Sequence, residues 1–138
     1  MKTVLITGAE GFIGKNLRVS LQIRGDIRLV GYDIQDDPST LADLLDQADF
    51  VFHLAGVNRP QDPKEFKIGN TGLTEKICRH LLSTGRKVPI TITSSTQAAF
   101  VNSYGESKRG AEEAVFAYGR ESCAAVYVFR LPNVFGKW

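Results

Sequence analysis

Tyr104 and Lys108 stand four residues apart in a stretch of helical character, which puts both on one helix face. A free tyrosine has a pKa of roughly 10 and is a poor acid–base at neutral pH. An ammonium beside the ring favours the phenolate and lowers that value. The pair can then exchange a proton with an oxygen on a reacting carbon. Ser94-Ser95-Thr96 ends the strand expected just before this helix, and a hydroxyl there could hydrogen-bond the same oxygen and polarise it. Far upstream, Thr7-Gly8-Ala9-Glu10-Gly11-Phe12-Ile13-Gly14 closes one strand and opens a helix. In that motif Gly8 permits a tight turn, Gly11 lets backbone approach a pyrophosphate, and Gly14 lets the helix pack close to the sheet. The helix start offers free N–H groups and a positive dipole end to phosphates. Each motif alone is weak evidence. In this order, in a chain that alternates strand and helix, they point to nicotinamide-dependent chemistry at a hydroxyl or a ketone.

Asp33 ends the second expected strand, about 20 residues after the glycines, where a carboxylate can accept hydrogen bonds from the adenosine ribose hydroxyls. It would repel a 2′-phosphate, and Glu10 adds to that repulsion, with Lys15 as the nearby counterweight. The alternative is a turn-initiating aspartate, since Asp36-Asp37-Pro38 makes the loop acidic in any case. Leu54-Ala55-Gly56 ends the third strand with small residues across which a cofactor can lie. His53, inside that strand, reads as a satisfied core histidine rather than a catalyst. Asn70 interrupts an apolar helical stripe, and a buried amide needs partners. Either it fixes a water that relays protons from Lys108, or it makes a structural hydrogen bond within the core.

The elements that must position these residues follow from periodicity. Strands are expected over 3–7, 27–33, 50–55, 88–93 and 124–131, and helices over 12–24, 40–47, 63–84 and 103–120. Ile13, Leu17 and Leu21 line one face of the first helix, with Gly25 past its end. Ser39-Thr40 can cap the second. Phe66, Asn70, Leu73, Ile77 and Leu81 form the stripe of the third, which Gly85 ends. Ser103 and Glu106 have capping-box spacing at the start of the fourth. Residues 58–63 and 94–102 are loops, and 132–138 a tail. Strands separated by helices imply parallel pairing with right-handed crossovers. The expected fold is therefore an α/β doubly wound parallel sheet of about five strands, of Rossmann type. Every motif above falls at or just after a strand's carboxyl end, where such sheets bind ligands.

The bulk composition narrows the class. A chain of 138 residues is one domain's worth, and its 43% hydrophobic and 23% charged residues are ordinary for a globular protein. The net charge of +2 comes without a basic run that would suggest nucleic acid. No apolar stretch approaches the roughly 20 residues of a membrane span. The N-terminus reads as a strand rather than a signal peptide. Cys78 and Cys123 lie far apart without metal-ligand spacing, as ordinary reduced thiols of a cytoplasmic protein. No metal is expected.

These residues resemble the extended short-chain dehydrogenase/reductases, the nucleotide-sugar epimerases and dehydratases. The glycine spacing, His53-Leu54-Ala55-Gly56, Asn70, Ser95, Tyr104 with Lys108, and Arg130-Leu131-Pro132-Asn133 match that family's pattern in order. A narrower likeness is carried by three stretches: His53 to Pro60, Tyr104-Gly105-Glu106-Ser107-Lys108, and Pro132-Asn133-Val134-Phe135-Gly136-Lys137-Trp138. They are similar to the capsular and O-antigen polysaccharide reductases, which act on a UDP-linked 2-acetamido-2,6-dideoxy-4-hexulose. The resemblance implies Ser95 as the catalytic hydroxyl, Tyr104 as acid–base and Lys108 as its partner. It implies cofactor contacts at Gly8, Glu10, Gly11, Phe12, Ile13, Gly14, Asp33, Ile34, Leu54, Ala55, Gly56 and Leu131, besides Tyr104 and Lys108. Arg59 and Asn133 would contact the UDP-sugar substrate. Hydride would pass from the nicotinamide to the 4-keto carbon while Tyr104 donates the proton.

Those reductases generally use NADP(H), whereas Asp33 and Glu10 favour NAD(H). Most extended relatives carry a further short strand after the second one. Here Asp33 runs almost directly into the next helix. Relatives also continue with a substrate-binding lobe and, in the polysaccharide reductases, a cupin-like domain. Residues 1–138 correspond to the NAD(P)-binding domain alone, so weak dinucleotide binding and little or no turnover are expected. A UDP-sugar 4-epimerase and a non-catalytic dinucleotide-binding module are the alternatives. Family dimers form through the helices matching 63–84 and 103–120, and an uncovered edge at 124–131 invites pairing. Self-association is therefore expected.

Overall fold

Val4, Leu5, Ile6 and Thr7 are all buried, a run without alternation that marks a strand covered on both faces. This strand, β1 (Lys2–Thr7), lies inside a five-stranded parallel sheet. The computed structural model describes residues 1–137, so Trp138 of the tail motif lies outside the described residues. The other strands are β2 (Ile27–Tyr32), β3 (Phe50–His53), β4 (Ile90–Ser95) and β5 (Val126–Leu131), in the spatial order β2-β1-β3-β4-β5. The order reverses direction at β1, so the carboxyl ends of β1 and β3 flank the switch point. In register there are Thr7 opposite His53 and, farther along the sheet, Ser95 opposite Leu131.

Helices α1 (Phe12–Gln22), α2 (Thr40–Gln47), α3 (Lys64–Phe66), α4 (Leu73–Ser83) and α5 (Ser103–Ser122) make the crossovers. The larger core lies between the sheet and α2, α4 and α5, where Leu5, Leu41, Leu45, Ile77, Leu81, Ile90, Ile92 and Val115 are almost fully buried. On the opposite face Val4, Ile6 and Ala9 pack with Leu17 and Leu21 of α1. Tyr127 and Phe129, on the edge strand β5, remain about half exposed.

The expected elements are all present, with differences at their ends. The long helix over 63–84 is not uniform. A π-helical turn, Lys67–Gly72, separates α3 from α4. Gly69 lies in it, where an added Cβ would stand 2.3 Å from Val57 Cγ2, so the wider turn also runs close to the loop after β3. The fourth strand starts at Ile90 and carries Ser94 and Ser95 within it. The loop after it contains a 3-10 turn, Thr96–Ala99. Asn102, rather than Ser103, caps α5 by accepting the Gly105 N–H at 2.7 Å. Ser39 makes no side-chain cap; instead Asp37 accepts the Ser39 N–H at 2.9 Å. The local sequence offers several capping side chains within reach of each helix start, and the approach angle of the incoming chain selects among them. Helix α5 ends at Cys123, in the left-handed conformation with φ 58°. No helix among the described residues is long and apolar enough to cross a membrane.

Leu81 is fully buried between sheet and helices. Leu81→Ala is expected to lower unfolding free energy by about 2–5 kcal/mol. Urea denaturation followed by circular dichroism checks this, and a loss under about 1 kcal/mol would mean that the core closes around the gap.

Candidate active site

The turn after β1 is built on steric exclusion. Gly8 has φ +71°, and a Cβ on it would lie 2.6 Å from the Ala55 nitrogen; one on Gly14 would lie 2.1 Å from the Gly8 carbonyl oxygen. Only glycine lets α1 start this close to the strand ends. No side chain caps α1, so its first-turn N–H groups at Phe12 and Ile13 are free to meet an anion. The cradle suits a dinucleotide pyrophosphate, because backbone donors are displayed at the uncapped helix start.

A cleft of about 570 Å³ opens over the ends of β3, β4 and β5, and Ile13, Leu54, Gly56, Arg59, Ser95, Tyr104, Lys108, Leu131 and Asn133 line it. The structure thus brings the expected Ser95, Tyr104 and Lys108 into one cavity, which Ile13 alone of the glycine stretch lines. A second cleft of about 400 Å³, at the end of β2, is lined by Glu10 and Asp33. Asp33 is oriented by backbone: Oδ2 accepts the Glu10 N–H and Oδ1 the Ile34 N–H, each at 2.7 Å. The Ile34 side chain itself is exposed. Phe12 lies at the start of α1, its ring close to Gly136 of the tail.

Lys108 is buried, and burial pushes its pKa down. Its Nζ donates to the Thr93 carbonyl at 3.3 Å and sits 5.8 Å from the centre of the Tyr104 ring. The Tyr104 hydroxyl donates to Asn58 Oδ1 at 3.3 Å. The Ser95 hydroxyl accepts the Gln97 N–H at 3.1 Å, which leaves its own proton free to donate. Its neighbour Ser94 is buried beside Glu112, and its hydroxyl closes no hydrogen bond among the described residues.

Beneath the cleft a continuous line of hydrogen bonds joins three elements. Thr74 Oγ1 donates to the Asn70 carbonyl at 2.7 Å, so His53 Nε2 carries a hydrogen and donates to Thr74 Oγ1 at 2.9 Å. His53 Nδ1 then accepts from the Thr7 hydroxyl at 2.6 Å, and Thr7 Oγ1 accepts the Ala55 N–H at 3.3 Å. Burial, with Lys108 nearby, pushes the His53 pKa down to about 3, so the ring is neutral. Asn70 extends the line. Its Oδ1 accepts the Val57 N–H at 2.8 Å, and Nδ2 donates to the Val57 carbonyl and the Ser107 hydroxyl. These are bonds of the kind the structural alternative for Asn70 calls for, and its Oδ1 and Lys108 Nζ both face Gly56.

Three features were not expected from sequence. Asn58 holds the Tyr104 hydroxyl, although it lies 46 residues away in a loop. Arg18, rather than Lys15, is the ion-pair partner of Glu10. Arg130 forks onto the buried Glu112 with two 2.8 Å bonds. Arg130 thereby holds the Glu112 carboxyl below the usual range and pins the end of β5, from which Leu131 and Asn133 reach the cleft. The nearest available signal was the pairing of an inward glutamate on a helix with an arginine in the following strand.

Residues 4–138 match the profile of the NAD dependent epimerase/dehydratase family. Over 135 residues the chain is 51% identical to a UDP-2-acetamido-2,6-beta-L-arabino-hexul-4-ose reductase of Pseudomonas aeruginosa, covering 98% of this chain and 36% of the relative. It is similar to the crystal structure of capsular polysaccharide assembling protein CapF from Staphylococcus aureus, with TM-score 0.83 and 41% identity over 98% of this chain and 37% of that one. A UDP-glucuronic acid 4-epimerase from Bacillus cereus, in complex with NAD, gives TM-score 0.85 over 97% of this chain and 57% of that one; at 19% identity this is a likeness of fold alone. The chain spans little more than a third of the length of the first two proteins.

The neutral, buried His53 predicts a pH dependence. Unfolded, the imidazole takes up a proton below about pH 6.5. Folded, it does so only near 3. Between these values the unfolded state binds more protons, so stability falls as pH falls. From pH 7 to 5 the wild type is expected to lose about 2 kcal/mol more than His53→Gln. Urea midpoints at both pH values check this, and equal losses would mean that His53 is not the titrating group.

Proposed function

The chain belongs to the NAD dependent epimerase/dehydratase family, and from that premise we propose that it forms the cofactor-binding and proton-transfer portion of a nucleotide-sugar reductase. The substrate in this reading is a UDP-linked 6-deoxy-4-hexulose of surface-polysaccharide synthesis, in keeping with the 51% identity to a reductase of that substrate class. The observation that carries the reading is the convergence of Ser95, Tyr104 and Lys108 with Ile13 and Leu54 on one cleft. It is reached from the glycine turn whose helix start displays free N–H groups.

A dihydronicotinamide dinucleotide bound in this cleft would supply the hydride. Gly8 to Gly14 and the first turn of α1 would hold its pyrophosphate, and Asp33 would accept from the adenosine ribose hydroxyls, which favours NAD(H). Tyr104 gives its phenolic proton to the substrate 4-oxygen as the carbonyl carbon gains hydride, and the ketone becomes an alcohol. Lys108, held by the Thr93 carbonyl beside the ring, stabilises the phenolate left behind. Ser95 donates to the same oxygen and polarises the carbonyl. Arg59 and Asn133, on the outer wall, contact the nucleotide sugar. Asn70 acts by holding the Val57 backbone next to Asn58 and so the loop against which Tyr104 rests.

Titration of the purified chain with NADH and with NADPH, followed by nicotinamide fluorescence, is the direct test. NADH is expected to bind about tenfold more tightly. Tighter NADPH binding would remove the ribose role of Asp33, and binding of neither would overturn the reading. Separately, Tyr104→Phe is expected to leave NADH affinity within about threefold. In a full-length version that carries the substrate-binding portion, it should slow ketosugar-dependent single-turnover oxidation of bound NADH by about 10²–10⁴-fold. Equal rates for the two proteins would take Tyr104 out of the proton transfer.

A further inference from the structure

The cleft at the end of β2 is lined by three carboxylates, those of Glu10, Asp33 and Asp36, together with the guanidinium of Arg18 from α1. The floor is narrow, because a Cβ on Gly31 would meet Ala9 Cβ at 2.9 Å. The carboxylates are not equivalent. Asp33 is fixed by the Glu10 and Ile34 N–H groups, and Asp36 accepts the Asp33 N–H at 2.7 Å, so both are held by main chain. Glu10 is held by a side chain: its carboxylate is the ion-pair partner of Arg18 Nη1. Both members of that pair are partly open to solvent, at 51% and 38% side-chain exposure for Glu10 and Arg18, so each can be replaced without opening the core.

An arginine in a cleft that also holds a ribose-binding aspartate presents a conflict. Its planar fork is suited to a phosphate monoester, whereas the carboxylate beside it repels one. The Glu10 carboxylate decides between them, because it occupies the guanidinium and leaves the mouth of the cleft net negative. We infer that the Glu10–Arg18 ion pair is the element that selects the cofactor's 2′ substituent. Glu10 masks Arg18, so the cleft admits a 2′-hydroxyl and rejects a 2′-phosphate. Without the Glu10 charge, Arg18 becomes a ligand for that phosphate. Asp33 contributes the hydroxyl contact, and the Glu10–Arg18 pair contributes the rejection. This inference rests on the dinucleotide reading of the site.

The test is a double-mutant cycle read by binding alone: NADH and NADPH titrations of the wild type, Glu10→Gln, Arg18→Met and the double variant. Glu10→Gln keeps the backbone N–H that orients Asp33. It is expected to raise NADPH affinity relative to NADH affinity about tenfold or more. Most of the NADPH gain is expected to disappear in the double variant and to shrink with added salt, as an exposed charge contact does. An unchanged NADPH-to-NADH ratio in Glu10→Gln would overturn the inference. So would a gain that survives intact in the double variant, because relief of repulsion would then account for it without Arg18. Either result would leave the dinucleotide reading standing, provided NADH still binds. Binding of neither dinucleotide to the wild type would overturn both.

Discussion

The buried hydrogen-bond line from the Ala55 amide through Thr7, His53 and Thr74 to Asn70 is the constraint on which the site depends. Polar atoms removed from water cost free energy unless they are paired. Here each pairing crosses between elements. Thr7 belongs to β1, His53 to β3, Asn70 to the π-helical turn and Thr74 to α4. The line closes only if His53 is neutral with its hydrogen on Nε2, and only if the π turn sets Asn70 where its amide meets Val57. A shift of β3 by one residue against β1 would turn His53 to the other face and cost Thr7 and Thr74 their shared imidazole partner. Strand register, helix phase and loop position are therefore set by one requirement. Its consequence at the surface is the placement of Val57 and, next to it, Asn58 under the Tyr104 hydroxyl.

The parts that were legible in the sequence are those enforced by local sterics or by periodicity. Gly8 and Gly14 announce a close turn because a side chain there collides with backbone within a few residues or across one strand, and Gly11 is tight, 3.3 Å from the Gly8 carbonyl oxygen to an added Cβ. The five strands and the long helices follow from apolar spacing, and their alternation leaves parallel pairing as the natural arrangement. Ser95, Tyr104 and Lys108 reach one cleft because each sits at or just after a strand end of that sheet. Asn70 was legible as a residue needing partners but not as to which, because Val57 and Ser107 come to it only through the close approach of two helices and a loop. That approach is itself tight: an added Cβ on Gly110 would lie 2.6 Å from Thr71 Oγ1.

What was not legible depends on which long side chain reaches which partner across the fold. Arg18 and Lys15 are both cations in the first helix, three residues apart, and the sequence does not say which one turns towards Glu10. The helix rotation imposed by Gly14 against Gly8 makes the choice. Asn102 displaces Ser103 as the cap of α5 for a comparable reason. Gly105 is wedged beneath the 3-10 turn, where a Cβ would lie 2.1 Å from the Gln97 carbonyl oxygen, and this fixes where the chain enters the helix. Boundaries of this kind are decided by packing after the elements exist.

The two ends of the cofactor cradle use different physics. On the proposed reading, the pyrophosphate would meet backbone N–H groups at the start of α1, which only proline there would remove, so that end is set by the fold itself. At the ribose end, the proposed contact is Asp33, flanked by the Glu10–Arg18 pair, whose partly exposed side chains can be exchanged at little cost to stability. Lys108 stands between these cases: it is buried like the core, and its Nζ donates to the Thr93 carbonyl at the edge of the cleft. A buried ammonium is costly on its own and gains from ligand oxygens entering the cleft. The chain therefore holds its binding groups in graded commitment, backbone at one end and replaceable charge at the other. Specificity for the cofactor's 2′ position can then change without disturbing the turn that binds the phosphates.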